Sequence, residues 1–208
     1  MNITIRSDTC EIEGYVNAVE RKSKPIHERS GGVFRERISA GAFARALKKN
    51  DDVRILLNHD PARDLGGTKD GTLELAEDNI GLHARAKIKD KDVCEAARRG
   101  DLIGWSFGFK DPEQTETEED GMRVHDVKNL DLREVSILDR SHSPAYAGTL
   151  LMVRDENPVY FSDPEEQEIN VREIGQEQNE PKQQEAEKPP VDYGKYEKII
   201  AEMKGVNK

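Results

Sequence analysis

In the stretch Leu102-Ile103-Gly104-Trp105-Ser106-Phe107-Gly108-Phe109 the odd positions hold Ile, Trp, Phe and Phe, while positions 104, 106 and 108 hold Gly, Ser and Gly. Successive side chains of a β-strand point to opposite faces, so the alternation specifies a strand with one aromatic face and one face of nearly bare backbone. Glycine weakens a strand and marks places where another backbone comes close. A serine between two such glycines is either a space-making residue beneath a neighbouring element or a hydroxyl against which an extended peptide can lie. From this segment alone the packing reading is the simpler one.

The rest of the first three quarters reads as further strands with two short helices. Cys10, Ile12, Gly14 and Val16 alternate with Glu11, Glu13 and Tyr15, and Ile80 to Ile88 alternates in the same way. Val33 to Ile38, Val53 to Asn58 and Leu130 to Leu138 are also strands by pattern, and Lys69-Asp70-Gly71-Thr72 predicts a hairpin turn. Ser39 to Leu47 opens a helix with Phe43, Ala46 and Leu47 on one face and Lys48-Lys49 at its end. Asp92 with Glu95 three residues on predicts a capping box, for a helix closed by Gly100. Short strands with few helices and no internal repeat predict a mainly β (α+β) fold, a small barrel or sandwich.

Composition sets the domain boundary. Of 208 residues 35% are hydrophobic and 36% charged, too polar a mixture for one well-filled globule. From Glu156 to Lys208 there are 13 acidic and 7 basic residues, a net charge of −6 in one quarter of the chain. Between Ser162 and Pro190 the apolar residues are only Ile169, Val171, Ile174 and Ala186, too few to offset the entropy of ordering. The reading is a β domain over 1–155, a disordered acidic linker over 156–190, and a short amphipathic helix over 191–208. In that last segment Tyr193, Tyr196, Ile200 and Met203 share a stripe, as in a docking peptide or a frayed tail. No run approaches the ~20 apolar residues of a membrane helix, and Met1 to Arg6 lacks the pattern of a secretory signal. Two cysteines, Cys10 and Cys94, make neither a disulfide framework nor a four-ligand zinc site. The net charge of −10 argues against a general nucleic-acid binder. These features predict a cytosolic protein without nucleic-acid or membrane partners.

If Ser106 is a nucleophile, it needs a base to take its proton. Five histidines are available. His83 lies on the polar side of its strand, His27 sits among charges in a loop, His125 follows the acidic stretch Glu113 to Asp120, and His142 lies in a turn-like Ser-His-Ser-Pro segment. His59 differs: it ends the apolar strand Val53 to Leu57 where the chain leaves the core, a position suited to holding a catalytic side chain. A base also needs an acceptor for its second nitrogen. Glu134 falls on the face of Leu130, Leu132 and Leu138, where a carboxylate is costly unless paired with a histidine or an arginine such as Arg54 or Arg85. The Gly104-Trp105-Ser106-Phe107-Gly108 match to a nucleophile elbow is weak, because Phe107 to Pro112 does not begin a helix. A metal site from His59, Asp60 and His83 is weaker still, lacking helical histidine spacing.

Four segments now stand in order: Gly41-Ala42-Phe43, Leu56-Leu57-Asn58-His59-Asp60, Trp105-Ser106-Phe107-Gly108-Phe109, and Leu132-Arg133-Glu134-Val135-Ser136-Ile137. Together they make the region from Glu13-Gly14-Tyr15 to Ser143-Pro144-Ala145 resemble the prohead (capsid maturation) protease family of tailed bacteriophages. The resemblance implies a serine endopeptidase on a small β-barrel similar to the herpesvirus assemblins, acting in the host cytoplasm inside the assembling prohead. It would trim scaffold or the scaffolding segment of the major capsid protein, and itself, without metal or organic cofactor; self-association is left open. Carried over by position, Ser106 is the nucleophile, His59 the general base and Glu134 the third member. Assemblins use a second histidine there, so His125, His142 and Asp131 stand as alternatives, and Arg133 stands as an oxyanion ligand by looser analogy. The rival classes are a non-enzymatic assembly or scaffolding protein, in which Ser106 is only packing, and an esterase-like hydrolase relying on His142.

Overall fold

The computed structural model describes residues 1–27, 32–141, 160–161 and 168–174. Twelve strands and two helices run in the order β1 (Asn2–Arg6), β2 (Thr9–Ala18), β3 (Ile26–His27), β4 (Val33–Ile38), α1 (Ala42–Lys49), β5 (Arg54–Leu57), β6 (Asp60–Gly67), β7 (Leu73–Glu77), β8 (Gly81–Ile88), α2 (Lys91–Arg99), β9 (Leu102–Glu119), β10 (Met122–Asp139), β11 (Tyr160–Phe161) and β12 (Asn170–Ile174). They form two sheets. One has the order β12-β1-β2-β8-β7; the other runs β11-β9-β10-β4-β3, with β5 also on β10 and β6 on β5. Among the described residues no strand pairing joins the two sheets, which corrects the expected closed barrel. Helix α1 lies against both β7 and β10, so a helix stands where closure would need strands to pair. A single core unites the layers: Ile3, Ile5, Ile12, Val16 and Ile88 of the first sheet meet Trp105, Phe107, Phe109, Val135 and Ile137 of the second.

The second sheet is organised by one long hairpin. β9 and β10 are each 18 residues and pair antiparallel from Leu102↔Asp139 to Glu119↔Met122. The acidic stretch Glu113 to Asp120 is thus mostly strand rather than flexible connection. Cations hold the end of this hairpin: Arg37 reaches Glu119 of β9 (2.8 Å) and Asp126 of β10 (2.6 Å), and Lys22 reaches Glu119 (2.5 Å). On its far side β10 pairs in parallel with β4 over Arg123–Val127 and with β5 over Glu134–Ile137.

The helices are docked from their ends. Gly41, at φ +83, is the N-cap of α1, and the Glu77 carboxylate accepts from the Gly41 N–H (2.5 Å) and the Ala44 N–H (2.6 Å). These bonds satisfy donors that a helix start leaves without partners. Phe43 then meets the Phe107 ring edge-on at 5.2 Å, so α1 supports the strand that carries Ser106. In α2 the cap is Asp90, accepting from Val93 N–H (3.0 Å), rather than Asp92; Gly100 closes the helix at φ +71. Two further expectations are corrected. The Lys69–Thr72 turn joins β6 to β7, which belong to different sheets, and so is not a hairpin. Asn170–Ile174, inside the stretch read as disordered, pairs in parallel with β1, because Ile169 and the backbone edge of β1 give it a docking surface. The segment 191–208 lies outside the described residues.

Asp70 fixes that inter-sheet turn. Its carboxylate accepts from the Thr72 N–H (3.0 Å) and Gly67 N–H (3.1 Å). These bonds, those from Thr72 foremost, pull its pKa from 3.8 to about 2. A carboxylate whose folded value lies below its unfolded one stabilises the fold above the unfolded value and loses that contribution as pH falls through the folded value. Stability in urea titrations is therefore expected to decline as pH drops from 3.8 to about 2, and Asp70→Asn to make the decline shallower. An equally steep decline in the variant would count against this account.

Candidate active site

From Gly104 to Phe109 the strand carrying Ser106 has the predicted two faces; at Ile103 a β-bulge breaks the alternation, and Leu102 rather than Ile103 joins the core. Trp105, Phe107 and Phe109 are buried in the shared core. The neighbouring strand follows the same division through one irregularity. Leu132 faces Phe109 and Glu134 faces Gly108, which leaves Arg133 as an extra residue in β10. Such a β-bulge inverts the phase of everything beyond it. Val135 and Ile137 therefore join Leu132 in the core, while Glu134, Ser136 and Leu138 share the opposite face with Gly108, Ser106 and Gly104. Glu134 is consequently not on the face of Leu130 and Leu132, as simple alternation predicted; the bulge places it on the serine face.

His59 arrives from the other side of β10. Leu57 pairs with Asp60, so Asn58-His59 is a two-residue hairpin between β5 and β6. Both residues have positive φ, +56 and +58, as a type I′ turn requires. Histidine occupies the position where glycine is usual, a left-handed conformation that costs an L-residue about 1–2 kcal/mol. The turn is held by β10: Asn58 N–H donates to Ile137 O (2.9 Å), Asn58 Nδ2 donates to Asp139 Oδ1 (3.0 Å), and Asp139 N–H donates back to Asn58 Oδ1 (2.9 Å). Strain retained by such over-determined bonding is characteristic of functional turns.

The result is a compact polar group. His59 Nδ1 lies 2.7 Å from Glu134 Oε1. The Ser136 hydroxyl donates to Glu134 Oε2 at 2.6 Å and accepts from the His59 backbone N–H at 3.1 Å. Ser106 is the register partner of Ser136, which puts their Cβ atoms roughly 5 Å apart on one face. Among the described residues, the buried polar or charged side chains are these four and no others: His59 and Glu134 at 6% exposure, Ser106 and Ser136 at 0%. Buried polar groups are tolerated where they are bonded, and His59, Glu134 and Ser136 are bonded to one another. Chemically, a carboxylate against Nδ1 keeps the neutral ring's proton on that nitrogen and leaves Nε2 as the basic lone pair.

The other residues singled out lie elsewhere. His125 stacks on Phe34 at 4.2 Å and bonds Glu116 at 3.2 Å. It is nine residues from Glu134 along β10, roughly 30 Å at strand spacing. Asp131 pairs with Arg133 at 2.8 Å rather than with His59, and Arg133 is half-exposed at the bulge. His83 bonds Glu13 (3.3 Å) on the first sheet, apart from His59 and Asp60. Arg54 is taken by Asp52 and Asp64, and Arg85 by Glu11, so neither partners Glu134. His142 lies outside the described residues. No helix follows Ser106, because β9 continues to Glu119, so the nucleophile-elbow pattern is coincidental. Sequence reasoning missed Asn58, Asp139 and Ser136. Ser136 had a usable signal, since a residue two positions from Glu134 on a strand shares its face.

Compared with known families, residues 1–158 match the model described as caudovirus prohead serine protease. No curated protein and no solved structure matches the chain.

Proposed function

The chain belongs to the caudovirus prohead serine protease family, and from that premise we propose that Ser106, His59 and Glu134 are its catalytic residues. Ser106 attacks the scissile carbonyl, His59 takes the proton and returns it to the leaving amine, and Glu134 orients the ring and stabilises its cation. Backbone N–H groups hold the oxyanion, each worth roughly 3 kcal/mol. The observation carrying this reading is that the described residues bury only four polar side chains, and these three are among them. The substrate is an extended segment of scaffold or of the capsid protein's scaffolding region, cut inside the prohead in the host cytoplasm. The tail from 156 onward directs the enzyme to the assembling head or is removed by self-cleavage.

An edge of β9 suits an extended substrate. Tyr160 and Phe161 already pair antiparallel with Phe109 and Gly108, two residues beyond Ser106. A substrate strand on the same edge adds main-chain hydrogen bonds in the same way and replaces β11 on that stretch.

The test is co-expression of the full chain with its capsid protein, read by mass spectrometry of both. Wild type is expected to yield shortened capsid protein and a shortened protease; Ser106→Ala is expected to yield neither. Unchanged processing with Ser106→Ala would favour the scaffolding reading. Among the described residues no helix is long and apolar enough to cross a membrane.

A further inference from the structure

We infer that Ser136 is a positioning residue that sets the orientation of Glu134 and, through it, of the His59 ring. The inference rests on the catalytic reading above. A serine hydroxyl has one proton and two lone pairs. Here the proton goes to Glu134 Oε2 (2.6 Å) and one lone pair receives the His59 N–H (3.1 Å), so the hydroxyl has one rotational state. One side chain thereby ties the third member to the backbone of the residue it orients.

The consequence for Glu134 is geometric. Its Oε1 faces His59 Nδ1 at 2.7 Å and its Oε2 faces Ser136, so both oxygens are anchored and the carboxylate plane is fixed. Without the hydroxyl, Oε2 is left without that donor at a site where Glu134 is 6% exposed. The carboxylate then turns toward other donors, and the ring follows it. The same loss leaves the His59 N–H without its acceptor in a turn whose φ is +58. A 1 Å displacement of a reacting group is enough to cost about 10²-fold in rate.

The two roles divide the rate loss differently. Loss of a positioning contact lowers kcat per folded molecule and leaves KM nearly unchanged. A residue that merely filled space would lower stability and leave kcat per folded molecule where it was.

The experiment uses the full chain and a synthetic peptide spanning the capsid-protein cut, with the folded fraction read from thermal melts. Ser136→Ala is expected to lower kcat roughly 10²-fold with KM within about twofold. Ser136→Thr, which keeps the hydroxyl on a β-branched scaffold suited to strands, is expected to restore most of the rate; Ser136→Cys, of similar volume with a weaker donor, should fall between. In a Glu134→Ala background Ser136→Ala is expected to cost almost nothing more. Wild-type kcat in folded Ser136→Ala, failure of Ser136→Thr to restore the rate, or a full second loss in the Glu134→Ala background would each overturn the assignment. Such outcomes are distinct from failure of the catalytic reading, in which Ser106→Ala itself still cuts.

Discussion

Replacing His59 with Gly or with Ala is expected to lower kcat roughly 10⁶-fold, and adding Ser106→Ala to either is expected to lower it no further. A nucleophile and its base act as one unit, so losing either removes the proton-coupled attack, and the remaining rate comes from substrate binding and the oxyanion donors. The two His59 variants differ in one respect. Both lose the imidazole and strand Glu134 without it, a cost of about 3–5 kcal/mol that they share. Only Ala keeps a Cβ at φ +58, where a side chain is penalised. The Gly variant should therefore be the more stable by about 1 kcal/mol. Single-turnover cleavage and thermal melts measure both quantities. A double variant far slower than either single one would dissolve the catalytic pairing, and equal stability would dismiss the strain account. A wild-type turn that holds histidine where glycine is easier has accepted instability in exchange for a placed imidazole.

How much of this was legible in the sequence depends on which residues announce their environment. The Ser106 strand was readable because Trp105, Phe107 and Phe109 alternate with Gly-Ser-Gly, and from Gly104 to Phe109 nothing in the fold disturbs that phase. His59 was readable as the end of an apolar strand, but the tight hairpin was not, since Asn58-His59 lacks the glycine that usually marks such a turn. Glu134 was chosen for its place among leucines, yet its phase relative to Leu132 is set by the bulge at Arg133, and a bulge carries no periodic signal. The expected face was wrong, and the bulge instead puts Glu134 against His59 Nδ1.

The polar halves of β9 and β10 were missed for a related reason. From Glu113 to Glu119 and from Arg123 to Asp126 the side chains are mainly charged, and no apolar alternation exists to detect. Their strand character comes from pairing across the hairpin and from the cations Arg37 and Lys22, which lie 80 residues or more away in sequence. β12 is a strand for the same kind of reason: its pattern is polar and its order comes from the edge of β1, 168 positions away at Asn2↔Asn170. Sheet membership for these segments is a tertiary property, so local composition read them as loop or disorder.

The exchange of Glu134 for Gln separates orientation from burial. Glu134 accepts from Ser136 on one oxygen and faces His59 Nδ1 with the other. Gln offers one oxygen and one NH₂. If the oxygen takes the Ser136 proton, the NH₂ faces Nδ1, which must then be unprotonated, and the ring's proton moves to Nε2 where the base lone pair is needed. If the oxygen instead takes the Nδ1 proton, the imidazolium formed during attack still has no anion beside it. Either arrangement removes what the carboxylate supplies, and kcat is expected to fall roughly 10⁴-fold. Stability should behave differently, because a neutral isostere relieves the desolvation of a buried carboxylate, leaving the melting temperature unchanged or raised. Nitrogen NMR of the His59 ring reports the tautomer directly, alongside the melt and the rate. A Gln variant that cuts at the wild-type rate would remove Glu134 from the triad, while one that is slow only because it is unfolded would show in the melt.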